Sequence, residues 1–221
     1  MERSRVAIIV PALNEAATIG AIVSRVSEYG LPIVVDDGSR DTTASLARAA
    51  GAEVVSHGRT QGYDGALNSG FARAAQLGCT YLITIDADGQ HDPGQLREMI
   101  GYLDGGYEMV LGVRDRFARL GERLFARCAG GLWSVSDPLC GMKGYTVELY
   151  RRAGQFDSLR SIGSELAVRS KLAGARTVEM AIQTRSRTDA PRFGRHMTAN
   201  YKILRALVML LVVYGTRKRH G

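Results

Sequence analysis

The chain has 221 residues, 45% of them hydrophobic and 23% charged, which is enough apolar material for one sizeable α/β domain and too much for a disordered chain. Three cysteines without metal-ligand spacing argue for a reducing compartment and against a disulfide framework or a zinc site. The net charge of +7 favours phosphate-rich substrates, anionic membranes or nucleic acid, and its positive side chains concentrate between Arg114 and Arg127 and between Arg185 and Arg219.

Met1-Glu-Arg-Ser-Arg5 leads straight into the first strand, with no apolar signal segment. Residues 5–10 form a short apolar strand stopped by Pro11, and Asn14 is placed to cap a helix carrying Ile19, Ile22, Val23 and Val26 at helical spacing. Residues 31–35 form a second strand, ending in Asp36-Asp37-Gly38-Ser39. Asp41 is placed to cap a helix to about Ala50, and a third strand follows over 52–56. A glycine-punctuated loop from His57 to Gly62 leads into a helix from Asp64 to about Leu77. The fourth strand, Tyr81-Leu-Ile-Thr-Ile, runs into Asp86-Ala87-Asp88-Gly-Gln90-His91-Asp92-Pro93. A helix from Pro93 to about Leu103 and a strand over 107–112 follow.

Strand and helix alternate five times over these residues, the pattern of a parallel sheet with helices on both faces. Right-handed crossovers bring the strand exits to one edge. Pro11 to Glu15, Asp36 to Ser39 and Asp86 to Asp88 then lie side by side. Two carboxylates inside a core would cost several kcal/mol, so Asp86 and Asp88 belong at the exit of the fourth strand. Hard oxygen donors there suit Mg²⁺ or Mn²⁺ held together with a substrate phosphate. The plain alternative is an acidic turn into the next helix, with Asp92 as N-cap and Pro93 at its first position.

Beyond residue 112 the rhythm changes. The segment 114–133 is arginine-rich and helical in its second part, 136–141 is a polar turn, and 142–146 is a strand. Ser164 is placed to cap a helix from about Glu165 to Leu172, and 176–183 is a strand. Residues 1–195 read as one domain, followed by a helix from about His196 to Val213 and a basic tail to residue 221. The apolar core of that last helix, Leu207 to Tyr214, is about eight residues long, against roughly 20 for a membrane span. Packing on the domain core or on a partner subunit is favoured over lying as an amphipathic helix in a membrane interface, anchored by Lys202, Arg205 and Arg217-Lys218-Arg219. The scattered His57, His91, His196 and His220 read as hydrogen-bonded turn residues rather than metal ligands, and Trp133 reads as core.

Six motifs stand in order: Val10-Pro11-Ala-Leu-Asn14-Glu15, Val35-Asp36-Asp37-Gly38-Ser39, Gly62-Tyr-Asp-Gly-Ala66 ahead of Gly70, Asp86-Ala87-Asp88-Gly-Gln90-His-Asp-Pro93, Leu111-Gly112-Val-Arg114, and Asp137-Pro-Leu-Cys-Gly141-Met-Lys-Gly144-Tyr145. On these the chain resembles the family 2 glycosyltransferases, and within them the dolichyl-phosphate mannosyltransferase-like enzymes that load a sugar onto a polyprenyl phosphate. The resemblance spans about residues 6–195. It implies the GT-A fold, an α/β, Rossmann-like, mixed and mostly parallel sheet, here followed by the C-terminal helix. It also implies an inverting single displacement from a nucleotide-diphospho-sugar.

Carried onto this sequence, Pro11, Asn14, Glu15, Asp36 and Asp37 would line base and ribose. Asp86 and Ala87 would lie beside them, and Asp88 with Gln90 would hold Mg²⁺ or Mn²⁺ against the diphosphate. Arg114, Arg123 and Arg127 would meet the acceptor phosphate. A phosphate oxygen is already anionic and needs no strong base; a saccharide hydroxyl would, and Asp137 and Glu165 are then the candidates. The Ser-Lys pair of the family's closing loop is replaced by Arg195-His196, leaving Arg192 and Arg195 to clamp phosphate. The C-terminal transmembrane helices of many relatives have no counterpart here. The expected partners are therefore the donor, a polyprenyl phosphate, and a cytoplasmic membrane face or membrane-protein partner, with a homo-oligomer through the last helix as a further expectation. A basic nucleic-acid-binding protein is the rival from another class, but no aromatic-interleaved sheet or recognition helix supports it.

Overall fold

A computed structural model describes residues 5–117, 119–184 and 196–215, with side chains of the last segment from residue 198 onward. Seven strands form one sheet in the order β3-β2-β1-β4-β6-β5-β7. The strands are β1 (Val6–Ala12), β2 (Leu31–Asp36), β3 (Glu53–Ser56), β4 (Tyr81–Thr84), β5 (Met109–Arg114), β6 (Lys143–Thr146) and β7 (Thr177–Ile182). The helices are α1 (Ile19–Val26), α2 (Thr43–Ala49), α3 (Tyr63–Gln76), α4 (Leu96–Asp104), α5 (Leu120–Trp133), α6 (Val147–Ala153), α7 (Glu165–Leu172) and α8 (His196–Tyr214). The mixed sheet agrees with the expected fold class. α6 is an addition that the sequence reading passed over.

The first strands are β-branched runs buried on both faces, as parallel strands under two helical layers must be. Alternate residues feed separate cores. Ala7 and Ile9 of β1 join Phe71, Phe125, Trp133 and Tyr145, whereas Val6, Ile8 and Val10 join Ile19, Val23, Met99 and Ile100. Pro11 does not end β1, which continues to Ala12. Ile9 accepts the N–H of Ile85 on the β4 side and Ala12 accepts that of Asp37 on the β2 side. By strand alternation Pro11 faces the β4 side, beyond the last paired residue of β4, so its missing N–H leaves no ladder bond unmade.

Three expected caps are placed differently. Asn14 adopts a left-handed φ of 54° and its side chain accepts the Arg40 N–H at 2.9 Å instead of starting α1. Asp41 accepts from Thr43 N at 3.0 Å, one residue ahead of the Thr42 cap position. Ser164 turns its hydroxyl to the Pro138 carbonyl, and the Ser161 hydroxyl accepts the Glu165 N–H at the start of α7. Asp92 does cap the turn at Pro93, accepting from Gly94 N at 3.3 Å.

β1 is the point where the winding reverses, with β2 and β3 on one side and β4 on the other. A ligand crevice opens outside the carboxyl ends at such a point. β6 is antiparallel between β4 and β5, so the chain enters it from the same carboxyl edge, through the loop 137–141.

Candidate active site

The exits of β1 and β2 are laced together. Asn14 N donates to Ser39 Oγ at 2.8 Å, Glu15 N to Thr43 Oγ1 at 2.8 Å, and Ala16 N to Asp41 Oδ2 at 3.2 Å. Thr18 Oγ1 joins this edge to β4, donating to Ala87 O at 2.8 Å and lying 3.1 Å from Glu15 Oε2. Buried Asp36 accepts the Ser39 N–H at 3.2 Å and lines a recess of about 540 Å³ with Gly38, Ser39, Arg40, His57, Arg59 and Thr60.

Asp37 is turned away from that role. One of its oxygens accepts from Gln61 N at 2.7 Å and lies 2.8 Å from His57 Nδ1, and the other accepts from Gly62 N at 2.8 Å. His57 Nε2 in turn lies 2.9 Å from Ser69 Oγ. Asp37 thus anchors the loop that walls the recess. The family resemblance implies a ligand role for Asp37 as for Asp36; in the structure both Asp37 oxygens are bonded to the loop wall.

Asp86 lies in the crevice with 31% of its side chain exposed. Tyr63 donates its hydroxyl to Asp86 Oδ1 at 3.1 Å, and His91 Nε2 lies 3.4 Å from Oδ2. Burial pushes this carboxyl up, but the His91 and Tyr63 hydrogen bonds and the charges of His91 and Lys143 outweigh it and hold it below its ordinary value. Tyr63 carries no role in the sequence reading and His91 only that of a hydrogen-bonded turn residue, although both stand inside the motifs. Nothing in their local sequence shows that they meet one carboxylate from two separate elements.

Asp88 accepts from Gln90 N at 3.1 Å, a turn that directs both residues out of β4. Among the described residues no group of three or more His, Cys, Asp or Glu gathers as a metal cage. A carboxylate and an amide still suit Mg²⁺ or Mn²⁺, which take much of their coordination from water and substrate phosphate. The donor set therefore fits.

The loop 137–141 covers this edge closely. A Cβ on Gly141 would stand 2.0 Å from Asp86 Oδ2, so any larger residue there would displace the Asp86 carboxylate. Lys143 lies wholly buried beneath, its ammonium donating to Pro138 O and Gly163 O at 2.7 Å each. Burial lowers its pKa, opposed by Cys140, Asp137 and Asp86.

The two candidate bases are both engaged. Buried Asp137 is forked by Arg114, Nε to Oδ2 at 2.7 Å and Nη2 to Oδ1 at 2.9 Å, with Arg114 N adding a third bond at 3.1 Å. Burial would lower the Arg114 pKa; the Asp137 bonds raise it instead. Buried Glu165 accepts from Ser158 N and Oγ, Leu159 N at 3.1 Å and Tyr214 Oη at 3.0 Å. Arg114 is thus drawn inward, whereas Arg123 and Arg127 stand exposed on α5. Arg192 and Arg195 lie outside the described residues.

The sequence profile described as glycosyl transferase family 2 matches residues 7–125. The chain belongs to that family. An uncharacterized glycosyltransferase of Mycobacterium tuberculosis is 31% identical over 85% of this chain and 88% of its own length. A dolichyl-phosphate hexose transferase of Haloferax volcanii is 27% identical over 82% of this chain and 83% of its own. Among solved structures, glucosyl-3-phosphoglycerate synthase of Mycobacterium tuberculosis, in complex with Mn²⁺, UDP and glucosyl-3-phosphoglycerate, superposes with a TM-score of 0.73 at 22% identity, covering 95% of this chain and 80% of that one. The same synthase has also been crystallised with Mg²⁺ and UDP. These likenesses establish a GT-A fold and a glycosyltransferase, and this family 2 enzyme carries its Asp86–Asp88 pair at the winding reversal of the sheet.

Proposed function

We propose that this enzyme inverts configuration as it moves a sugar from a nucleotide-diphospho-sugar to the phosphate of a polyprenyl lipid. The engagement of both candidate bases is the observation that carries the acceptor choice. A hydroxyl acceptor must lose a proton as it attacks, which needs an unengaged base within reach. Asp137 is forked by Arg114, and Glu165 is filled by Ser158, Leu159 and Tyr214. A phosphate oxygen is already anionic and needs neither. The Haloferax relative, named for dolichyl phosphate, supports the same acceptor class.

In this reading an acceptor phosphate oxygen bonds to the anomeric carbon as the bond from that carbon to the diphosphate oxygen breaks on the opposite face. The nucleoside occupies the recess beside Asp36, backed by Pro11, Asn14 and Glu15, while Asp37 keeps the His57–Gly62 wall in place. Asp86, oriented by Tyr63 and His91, faces the donor next to Ala87. Asp88 and Gln90 would hold Mg²⁺ or Mn²⁺, which supplies neutralising charge for the departing diphosphate. Exposed Arg123 and Arg127 meet the incoming phosphate, and Arg192 and Arg195 remain candidates for clamping the donor.

The test is transfer of radiolabel from UDP- and GDP-sugars, with Mn²⁺ present, to a panel of polyprenyl phosphates, saccharides and 3-phosphoglycerate. Label is expected in the polyprenyl phosphate. Transfer to a saccharide or to phosphoglycerate, with none to lipid, would overturn the acceptor assignment.

A further inference from the structure

Lys143 takes no part in the steps above, yet it stands beneath the crevice with only 3% of its surface exposed. Lysine is rarely found so deep, because its ammonium must exchange water for partners of equal strength. Here the partners are carbonyl oxygens and not a carboxylate: Nζ donates to Pro138 O and to Gly163 O at 2.7 Å each. The backbone sets its place. Lys143 opens β6 and pairs with Thr84, two residues before Asp86, and Thr84 Oγ1 donates to Gly141 O at 2.7 Å. An apolar side chain of similar volume could fill this space without a buried charge, but it would leave both carbonyls without a donor.

Those two carbonyls belong to the two segments that bear on Asp86, one directly and one through Tyr63. Pro138 lies in the 137–141 loop, whose Gly141 rests so close to Asp86 Oδ2 that a Cβ there would stand 2.0 Å away. Gly163 closes the 157–163 bend with a left-handed φ of 69°, and a Cβ on it would stand 3.3 Å from Cε1 of the Tyr63 ring. Tyr63 in turn donates its hydroxyl to Asp86 Oδ1 at 3.1 Å. The Gly163 N–H is taken by Asp64 at 2.6 Å, the residue next to Tyr63 in α3. Ser164 Oγ adds a strut between the segments, donating to Pro138 O at 2.9 Å. One ammonium thus joins the two contacts that bear on the two oxygens of a single carboxylate.

We infer that Lys143 is a positioning residue: its ammonium clamps the 137–141 loop to the 157–163 bend and so holds the Asp86 carboxylate at the angle from which it meets the donor. A group that must face a substrate loses much of its effect when it shifts by an ångström, and buried hydrogen bonds from its surroundings are what prevent the shift. Lysine suits the task because one nitrogen carries three donors and can serve carbonyls from two separate segments at once. The inference rests on the reading of Asp86 as a donor contact and is independent of the acceptor.

The experiment has two arms on the full chain, with Lys143→Met and Lys143→Arg as variants. In hydrogen exchange without ligand, Lys143→Met is expected to exchange about tenfold faster over 137–141 and 159–164 and to match the parent in β1 to β3. Lys143→Arg, which keeps a charge and N–H donors, is expected to recover most of that protection. In calorimetry with Mn²⁺ and UDP or GDP, Lys143→Met and Asp86→Asn are each expected to weaken binding about tenfold, and the double variant to be no weaker than Asp86→Asn alone. Additive losses, or parent-like binding in Lys143→Met, overturn the positioning role. Uniformly faster exchange, or a Lys143→Met chain without a cooperative melt, overturns it in favour of general support of the fold. A parent that binds neither nucleotide strikes the donor reading, and the exchange arm then decides the clamp by itself.

Discussion

Arg114 and Asp137, read in the sequence as candidates for chemistry, are bonded to each other in the fold. Each was a candidate to touch the acceptor, yet the guanidinium fork closes on the carboxylate, with Glu122 3.8 Å beyond. Removing one partner of such a buried pair strands the other charge, which costs about 3–5 kcal/mol. Asp88 stands elsewhere, half-buried at the exit of β4, where it accepts the Gln90 N–H within its own turn. Asp137→Ala is therefore expected to lower the melting temperature by roughly 10 °C. Asp88→Ala should still melt in one transition and lose Mn²⁺-dependent binding of nucleotide diphosphate in calorimetry. An unchanged melting point for Asp137→Ala would show that the fork is not structural. Surviving Mn²⁺-dependent binding in Asp88→Ala would remove the metal assignment.

At the scale of elements, the strands were legible because a run such as Val6–Val10 or Tyr81–Ile85 carries its own signal in β-branched and aromatic residues. The three strand exits were legible for the same reason, since each ends a run. The caps and struts were not. Ser164 was chosen for α7 by position, but Ser161 does that work because 157–163 is bent back by left-handed Arg160 and Ile162. That bend is held by one carboxylate from elsewhere and one of its own: Asp64 of α3 accepts from Ile162 N at 3.3 Å and Gly163 N at 2.6 Å, and Asp157 holds Leu159 and Ser161. No window of sequence contains such a contact across nearly a hundred residues. Burial, with Asp157 adding to it, pushes the Asp64 carboxyl up to about 6 from an ordinary 3.8. Its protonated form is thus favoured by folding. The stability it contributes is full below about pH 4 and is lost as pH rises through about 6. Relative to the parent, Asp64→Asn should gain about 2–4 °C in melting temperature between pH 4.5 and 7.5. Parallel curves for the two proteins would refute this.

For the whole molecule, the C-terminal helix is part of the body and not an appendage. Leu207 and Leu210 share a core with Phe125 and Trp133, and Tyr214 reaches the same Glu165 that holds the 158–159 turn. Sequence reading had framed packing and membrane contact as alternatives for this helix, because a period-3.6 pattern reports one apolar stripe and cannot tell which of two is covered. Leu210→Ala is expected to destabilise the entire domain by about 2–5 kcal/mol, read as a lower denaturant midpoint of one single transition. A separate early transition would mean that α8 unfolds on its own. The order of the strands has a different bearing, on synthesis from the amino terminus. β1 to β4 pair only with one another and with β6, so this half of the sheet is complete in its parallel bonds once residue 84 has emerged. β5 has no neighbour until β6 and β7 are made, at residues 143–146 and 177–182. While the ribosome is working through the stretch between, the parallel half of the sheet is paired, β5 has both edges bare, and the 137–141 loop that covers Asp86 is still to be made.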